Sequence, residues 1–169
     1  MHDYQAILLI VDMQRGAAEG RYHGQYLNRR WWDRYSLVTQ NILNLSGEMS
    51  ETVFVTDTRF RKPDHCNIIE PLQSLSQISA QFFKETDDGS AAVANALDAS
   101  ATIFVAGMNT NACIMRTARG LLKRGFNVAV VGDACWSVYA SKSAQPHHDG
   151  LRSVRRAGIP VFKMQDLFL

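Results

Sequence analysis

Six short apolar runs, separated by stretches with helical spacing, constrain this chain more than any other feature. The runs are Ala6–Val11 closing on Asp12, Thr52–Thr56 closing on Asp57, and Gln81–Phe83 closing on Lys84. They continue with Thr102–Ala106 leading into Gly107, Asn127–Val131 leading into Gly132 and Asp133, and Ile159–Phe162 near the C-terminus. They are rich in Val, Ile and Phe and mostly continuous rather than alternating, the pattern of strands covered by helices on both faces of a parallel sheet. Between them Tyr35–Met49, Ala91–Ala99, Ala112–Arg124 and Ser143–Ala157 have helix-compatible spacing, with Gly125 placed where a glycine ends a helix. The alternation predicts one α/β domain over residues 1–169. Its expected form is three-layered and doubly wound, with a mostly parallel six-stranded sheet and helices on both faces.

In such sheets ligands bind outside the carboxyl ends of the strands. Asp12, Asp57, Lys84, the Gly107–Ala112 loop and Asp133 all follow strands here, so residues distant in sequence become candidates for one pocket. Composition narrows the partners. At 46% hydrophobic and 20% charged the 169 residues suit an ordinary soluble globular protein. A net charge of +2 argues against nucleic acid, which calls for a strong basic stripe; Arg59, Arg61 and Lys62 form the densest basic group. No apolar run is long enough to cross a bilayer, and Met1-His2-Asp3-Tyr4 does not open a secretory signal. The three cysteines, Cys66, Cys113 and Cys135, show neither CxxC nor zinc-ligand spacing, which points to a reducing cytoplasm.

The segment richest in chemistry is Ile103-Phe-Val-Ala-Gly-Met-Asn-Thr-Asn-Ala-Cys113. A strand ends at Gly107, a tight loop follows, and a cysteine falls in the first turn of a helix. There the exposed amides and the helix dipole are expected to favour a thiolate and to bind an oxyanion. A nucleophilic cysteine needs a proton acceptor. No histidine ends a strand: His2 and His23 are near the start, His65 is in a loop, and His147 and His148 are at the start of the last helical stretch. Asp12 is better placed, closing a strand of Ile, Leu and Val, and Lys84 closes the Phe82-Phe83 pair. Singly, each has a plain structural reading as a packed cysteine, a helix-capping aspartate or an exposed lysine.

Three motifs occur in a telling order. Ala6-Ile-Leu-Leu-Ile-Val-Asp-Met-Gln14 comes first, then Phe83-Lys-Glu-Thr-Asp-Asp-Gly-Ser-Ala91, then the G-x-x-T-x-x-C loop within Val105–Cys113, followed by Thr117–Ser137 with its Gly-Asp-Ala. Together they resemble the isochorismatase-like cysteine hydrolases, which include nicotinamidases, N-carbamoylsarcosine amidases, ureidoacrylate and biuret amidohydrolases, and isochorismatases. The resemblance implies Cys113 as nucleophile, Asp12 as general base and Lys84 as electrostatic partner. It also implies an oxyanion hole from the backbone N–H groups of Asn109 and Cys113, a non-proline cis peptide at Met108–Asn109, and Thr110 as a brace for the loop. Hydrolysis of a small amide, ureido or N-carbamoyl compound through a thioester is the implied activity, and a homo-oligomer the implied assembly.

The chain also departs from that pattern. Nicotinamidases of the group build a metal site around Asp-x-His after the second strand, whereas this chain has Asp57-Thr58-Arg59. One histidine, His65, and Asp57 make a poor metal site, so neither a metal nor another cofactor is expected, and nicotinamide is disfavoured as substrate. Arg59 is instead a candidate for binding a substrate carboxylate, with an ion pair to Asp57 or Asp33 as the alternative. Met108 and Trp136 are further substrate-binding candidates. Trp31, Trp32, Tyr22, Tyr26 and Phe60 suit either a pocket wall or a core or subunit interface. Arg116 and Arg119 read as structural or interfacial, and Cys66 and Cys135 as packing residues. The stretch from Arg61 to Phe83 is short for the group, which leaves one side of the pocket open or completed by a neighbouring subunit. Two rival functions stand beside the amidase: an isochorismatase-type vinyl ether hydrolase, which leaves Cys113 unexplained, and a non-catalytic binding protein. The absence of G-x-G-x-x-G after the first strand argues against a dinucleotide.

Overall fold

A computed structural model describes residues 5–18, 21–22, 25–26, 29–59, 63–76, 79–141 and 143–168, without the side chains at 17–31, 63, 76 and 141. His2, His23, Phe60, Arg61 and Lys62, and the side chains of Tyr22, Tyr26 and Trp31, lie outside this description. The main elements follow the expected alternation: β1 (Ala6–Val11), α1 (Arg29–Ser46), β2 (Glu51–Asp57), β3 (Ala80–Lys84), α2 (Ser90–Val93), β4 (Thr102–Met108), α3 (Met115–Lys123), β5 (Asn127–Trp136), α4 (Gln145–Arg156) and β6 (Val161–Phe162). The six strands form one sheet in the order β3-β2-β1-β4-β5-β6, and every pairing is parallel.

Successive residues of a strand point to opposite faces, so a strand covered on both sides must be apolar throughout. Ile7, Leu9 and Val11 pack with α2, α3 and α4 through Val93, Ala118, Leu121, Leu151 and Val154. Leu8 and Ile10 pack on the other face with Val38, Ile42 and Leu45 of α1 and with Leu72. The α1 residues recur at helical spacing, which makes one stripe of that helix apolar. Each fully buried Leu or Ile of this kind contributes about 1.5–3 kcal/mol relative to exposure. Among the described residues, no helix is long and apolar enough to cross a membrane.

Three elements differ from their sequence reading. The Ala91–Ala99 stretch is α-helical only over Ser90–Val93; the chain then tightens into turns, with the Ala96 amide bonded to the Val93 carbonyl and Asp98 capping Ser100. The spacing was helical, but Asn95, Asp98 and Ser100 favour local side-chain bonds over helix. The helix expected from Tyr35 begins at Arg29. The fifth strand runs to Trp136 instead of ending at Val131, because the two steps from Val105 to Gly107 on β4 match the five from Val130 to Cys135 on β5. Gly132 and Asp133 therefore lie within an irregular strand rather than at its end.

β1 and β4 lie side by side at the centre, and the chain builds outward from them in opposite directions. The carboxyl edge between them is the switch point where a doubly wound sheet opens its crevice. Gly107 makes the two strands approach closely there: its φ is +114°, and a Cβ on it would lie 2.2 Å from the Val11 carbonyl oxygen. Only glycine fits that position without moving the backbone.

Candidate active site

The chain leaves β1 at Asp12, whose backbone adopts a φ of 54° and whose N–H bonds the Val55 carbonyl at 2.9 Å. Two residues on, the fully buried Gln14 ties the ends of β1 and β2 together. Its Nε2 donates to the carbonyls of Asp57 (2.9 Å) and His65 (3.0 Å), and its Oε1 accepts the Asp57 N–H at 2.8 Å. This brings the Asp12 and Asp57 carboxylates to one edge.

Lys84, the last residue of β3, points into the same place and is only 4% exposed. Its Nζ lies 3.0 Å from Asp12 Oδ2, 3.3 Å from Asp57 Oδ2, 3.1 Å from the Thr86 carbonyl and 3.7 Å from Cys113 Sγ. Burial favours loss of the ammonium charge, but the Asp12 carboxylate foremost, helped by the neighbouring Cys113 and Asp57 side chains, outweighs it and holds the lysine above its ordinary range. Asp12, Lys84 and Cys113, separated by long stretches of sequence, thus form one buried cluster, with Asp57 as a fourth member.

Cys113 sits in a π-turn over Thr110–Ile114 that precedes α3, not in a regular first turn. The Asn109 carbonyl accepts the N–H groups of both Ala112 and Ile114, at 3.0 and 3.1 Å. The expectation of a stabilised thiolate is corrected here: burial first, and the neighbouring Asp12 charge second, push the thiol up to about 12, against the pull of Lys84. Burial likewise pushes Asp12 up to about 6, opposed by Lys84 and by the Cys113 thiol. At neutral pH the resting pair is therefore a thiol beside a carboxylate, the arrangement a general base requires. The second carboxylate oxygen, Asp12 Oδ1, is buried and has no hydrogen-bond partner among the described residues.

The loop before the cysteine carries a cis peptide at Met108–Asn109, at the position expected from the resemblance. It is fixed on several sides. Asn109 Oδ1 accepts the Val138 N–H at 2.8 Å, Asn111 Oδ1 accepts the Ser137 hydroxyl at 2.6 Å, and Thr110 Oγ1 meets His147 Nδ1 at 2.9 Å. His147 is a participant that strand-end reasoning missed, because it reaches the loop from α4. Burial lowers it to about 4, so it is neutral, and its ring packs on Trp136 with centroids 4.6 Å apart. Arg34 lies over the other ring system of this stack, 5.3 Å from the Trp136 centroid. Met108 and Trp136 are both buried at this edge, and Trp136 Nε1 has no partner among the described residues.

Arg59 is heavily engaged. Its Nε lies 2.9 and 3.0 Å from the two Asp57 oxygens, its backbone N–H bonds Asp57 Oδ1 at 2.8 Å, and Nη2 contacts both Asp57 Oδ2 and, at 2.7 Å, Asp87 Oδ1. Asp87 also pairs with Arg116 Nη1 at 2.5 Å. These contacts favour the ion-pair alternative for Arg59, with Asp57 as the partner. Burial alone would raise Asp57, but the hydrogen bonds from Arg59 and the charge of Lys84 bring it below the usual carboxylate range. Among the described residues, no group of three or more His, Cys, Asp or Glu side chains converges as a metal site does.

Other expected participants lie elsewhere. Asp133, read as a pocket candidate, sits inside β5, where its carbonyl accepts the Asn41 amide at 2.7 Å and its Oδ1 accepts the Met164 N–H at 2.9 Å. It braces α1 and the C-terminal segment, so it is removed from the site. Trp32 stacks edge-on against Tyr35 and lines a groove of about 720 Å³ between α1 and the Ile69–Gln73 segment. That groove includes none of Asp12, Lys84 or Cys113. Cys66, Cys113 and Cys135 are all free thiols; Cys135 is buried against the Val105 carbonyl, and Cys66 contacts that of Asp57.

A buried Asp–Lys–Cys cluster at the switch point of an all-parallel doubly wound sheet defines a class of cysteine-bearing α/β proteins. Comparison specifies it further: the isochorismatase domain model matches residues 86–166, just under half of the chain, including Cys113 and its loop. A putative isochorismatase hydrolase from Oleispira antarctica is similar over 99% of this chain and 97% of its own, with a TM-score of 0.76 and 16% identity. The nicotinamidase of Staphylococcus aureus is similar over 94% of this chain and 97% of its own, with a TM-score of 0.71 and 14% identity. The ycaC gene product of Escherichia coli, described as an octameric hydrolase of unknown specificity, is similar over 94% of this chain and 75% of its own, with a TM-score of 0.72 and 17% identity. No curated protein shows a significant sequence match. The chain has the isochorismatase-like hydrolase fold, and its residues 86–166 are similar to the isochorismatase domain.

Proposed function

We propose that the protein is a cysteine amidohydrolase that cleaves a small amide, ureido or N-carbamoyl compound through a thioester on Cys113. The observation that carries this reading is the placement of one buried ammonium, Lys84 Nζ, 3.0 Å from Asp12 and 3.7 Å from Cys113 Sγ. A carboxylate, a thiol and a cation held together away from water have little packing value, and burying them is costly unless they work.

The chemistry follows from the protonation states. The Asp12 carboxylate takes the Cys113 proton as sulfur attacks the substrate carbonyl, so no free thiolate has to exist beside an ionised Asp12. The S–C bond forms and the carbonyl oxygen becomes an oxyanion, which the backbone N–H groups of Asn109 and Cys113 bind. Collapse breaks the C–N bond, and Asp12 returns its proton to the departing nitrogen. Water then attacks the thioester, giving a proton to Asp12; the C–S bond breaks and the thiol is restored with that proton. Lys84 supplies positive charge throughout. Met108 and Trp136 border the substrate. Arg59, already shared between Asp57 and Asp87, receives a substrate carboxylate only by giving up those partners, so neutral amides and ureas are favoured. The octameric E. coli relative supports reading this chain as a homo-oligomer, which light scattering checks.

The test is ammonia release from a panel of small amides, ureas and N-carbamoyl acids, with and without prior alkylation by iodoacetamide. Turnover that disappears as Cys113 becomes labelled is the expected result. Turnover that survives full labelling of Cys113 contradicts the thioester reading.

A further inference from the structure

We propose that Asp57 and Arg59 are positioning residues for Lys84, acting through a chain of alternating charges that runs Lys84–Asp57–Arg59–Asp87–Arg116. The proposal rests on the catalytic reading above, and it assigns these side chains a part in the reaction without substrate contact.

A lysine ammonium has three N–H donors on a flexible stem. At Lys84 three oxygen acceptors meet it: Asp12 Oδ2 at 3.0 Å, Asp57 Oδ2 at 3.3 Å and the Thr86 carbonyl at 3.1 Å. Cys113 Sγ, at 3.7 Å, is a fourth neighbour and a weaker acceptor. During the reaction Asp12 alternates between carboxylate and acid as it takes and returns the cysteine proton. Each time it is protonated, its hold on Lys84 weakens. Asp57 takes no part in that transfer and remains an anion, so it supplies the constant electrostatic anchor that keeps the ammonium beside the sulfur.

The anchor is itself immobilised. Both Asp57 oxygens are bound by the Arg59 guanidinium, Oδ1 also accepts the Arg59 amide, and the Asp57 backbone is clasped by Gln14 through two hydrogen bonds. Arg59 continues to Asp87, and Asp87 to Arg116 on α3, the helix that follows the nucleophile turn. The charges alternate along the whole chain, so each member stabilises the ionised form of its neighbours. Its far end is open to water: the Arg59 and Arg116 side chains are 47% and 57% exposed, whereas that of Lys84 is 2% exposed. A surface network thus orients a buried cation.

The experiment uses the full chain and any amide whose turnover is lost in Cys113→Ser. Steady-state kinetics are compared for wild type, Asp57→Asn, Arg59→Ala, Arg59→Lys and the control Arg152→Ala, which breaks a surface pair with Asp149. Misplacing a catalytic group by about 1 Å costs roughly 10²-fold. Asp57→Asn is therefore expected to lower kcat about 100-fold and Arg59→Ala about 10-fold, with KM little changed. Arg59→Lys, which retains a cation without the planar fork, is expected to recover part of the loss. A kcat near wild type in folded Asp57→Asn and Arg59→Ala overturns the proposal. So does a rise in KM confined to carboxylate-bearing amides, which makes Arg59 a substrate contact. If Asp57→Asn fails to fold, the exposed Arg59 pair of variants decides by the same criteria. Should no amide be turned over, the catalytic reading fails separately, and the rate of Cys113 alkylation by iodoacetamide still reads the geometry. A several-fold change in Asp57→Asn and Arg59→Ala, absent in Arg152→Ala, supports positioning; an unchanged rate overturns it.

Discussion

Gly150→Ala places one methyl group between α4 and the loop that holds Cys113, and the structure fixes what it meets. A Cβ at Gly150 lies 2.7 Å from Thr110 C, Thr110 O and Asn111 N, all backbone atoms of the π-turn that carries Cys113. Carbon contacts relax at about 3.5–4.0 Å, so helix and loop must part by about 1 Å. In an exposed helix the same change is stabilising by about 1 kcal/mol, because glycine is a poor helix former. Overpacking costs about 1–3 kcal/mol, and three rigid backbone contacts place this site at the upper end. The net expectation is a loss of about 2 kcal/mol, or roughly 4–8 °C in Tm for a chain of this size. Because the displaced turn carries Cys113, the proposed nucleophile, activity should fall further, by about 100-fold. Thermal melts followed by circular dichroism, together with steady-state kinetics, measure both. Gly47→Ala, where the nearest neighbour is the Asn44 carbonyl oxygen at 3.6 Å, serves as comparison and should be close to neutral. A Gly150→Ala protein with an unchanged or raised Tm and full activity refutes the close packing described for α4.

Two further expectations concern pH. In the proposed mechanism Asp12 must be ionised to accept the cysteine proton, and burial raises it to about 6, so kcat/KM should fall as pH drops through about 6 and stay high above it; a pH–rate profile flat down to pH 4.5 contradicts Asp12 as the base. Lys84, held above its ordinary range, should impose no loss of its own up to pH 9. His147 is lowered to about 4 in the folded protein, against an ordinary value near 6.5. Its contribution to stability is therefore complete above about pH 6.5 and is lost as pH falls toward 4, by up to about 3 kcal/mol. Urea denaturation at pH 7 and pH 4.5 should show a smaller acid-induced loss in His147→Gln than in wild type, and equal losses in the two proteins contradict a buried neutral imidazole.

The strands of the fold were legible because burial on both faces demands continuous apolar residues, and each run also showed which residue stood at its carboxyl end. Asp12, Lys84 and Cys113 could be placed together on that basis, and the resemblance supplied the roles expected of them. What stayed hidden was set by contacts between distant elements. His147 lies in a helix whose face toward Thr110 carries no local signal, and Gly150 is needed only because a loop from another part of the chain presses on it. Asp133 looked like a strand-end residue because Gly132-Asp133 follows an apolar run, yet β5 passes through an irregularity and continues. The thiol of Cys113 was misread for a related reason. Position at a helix start favours the thiolate, but the burial and the nearby Asp12 charge that override it come from β1 and the tertiary packing. Arg59 was recognised as a cation at the edge of the site, while the choice between substrate and Asp57 depended on geometry that only the fold supplies.

Cys113 is proposed to form a covalent acyl intermediate with Asp12 as its base. This step is tested most directly by intact-protein mass spectrometry of wild type, Asp12→Asn and Cys113→Ser quenched in acid during turnover of a small amide. The expected result is an acyl mass on wild type that peptide mapping localises to Cys113, a greatly slowed rise of that mass in Asp12→Asn, and none in Cys113→Ser. Turnover by Cys113→Ser at the wild-type rate, with no adduct on any protein, contradicts it.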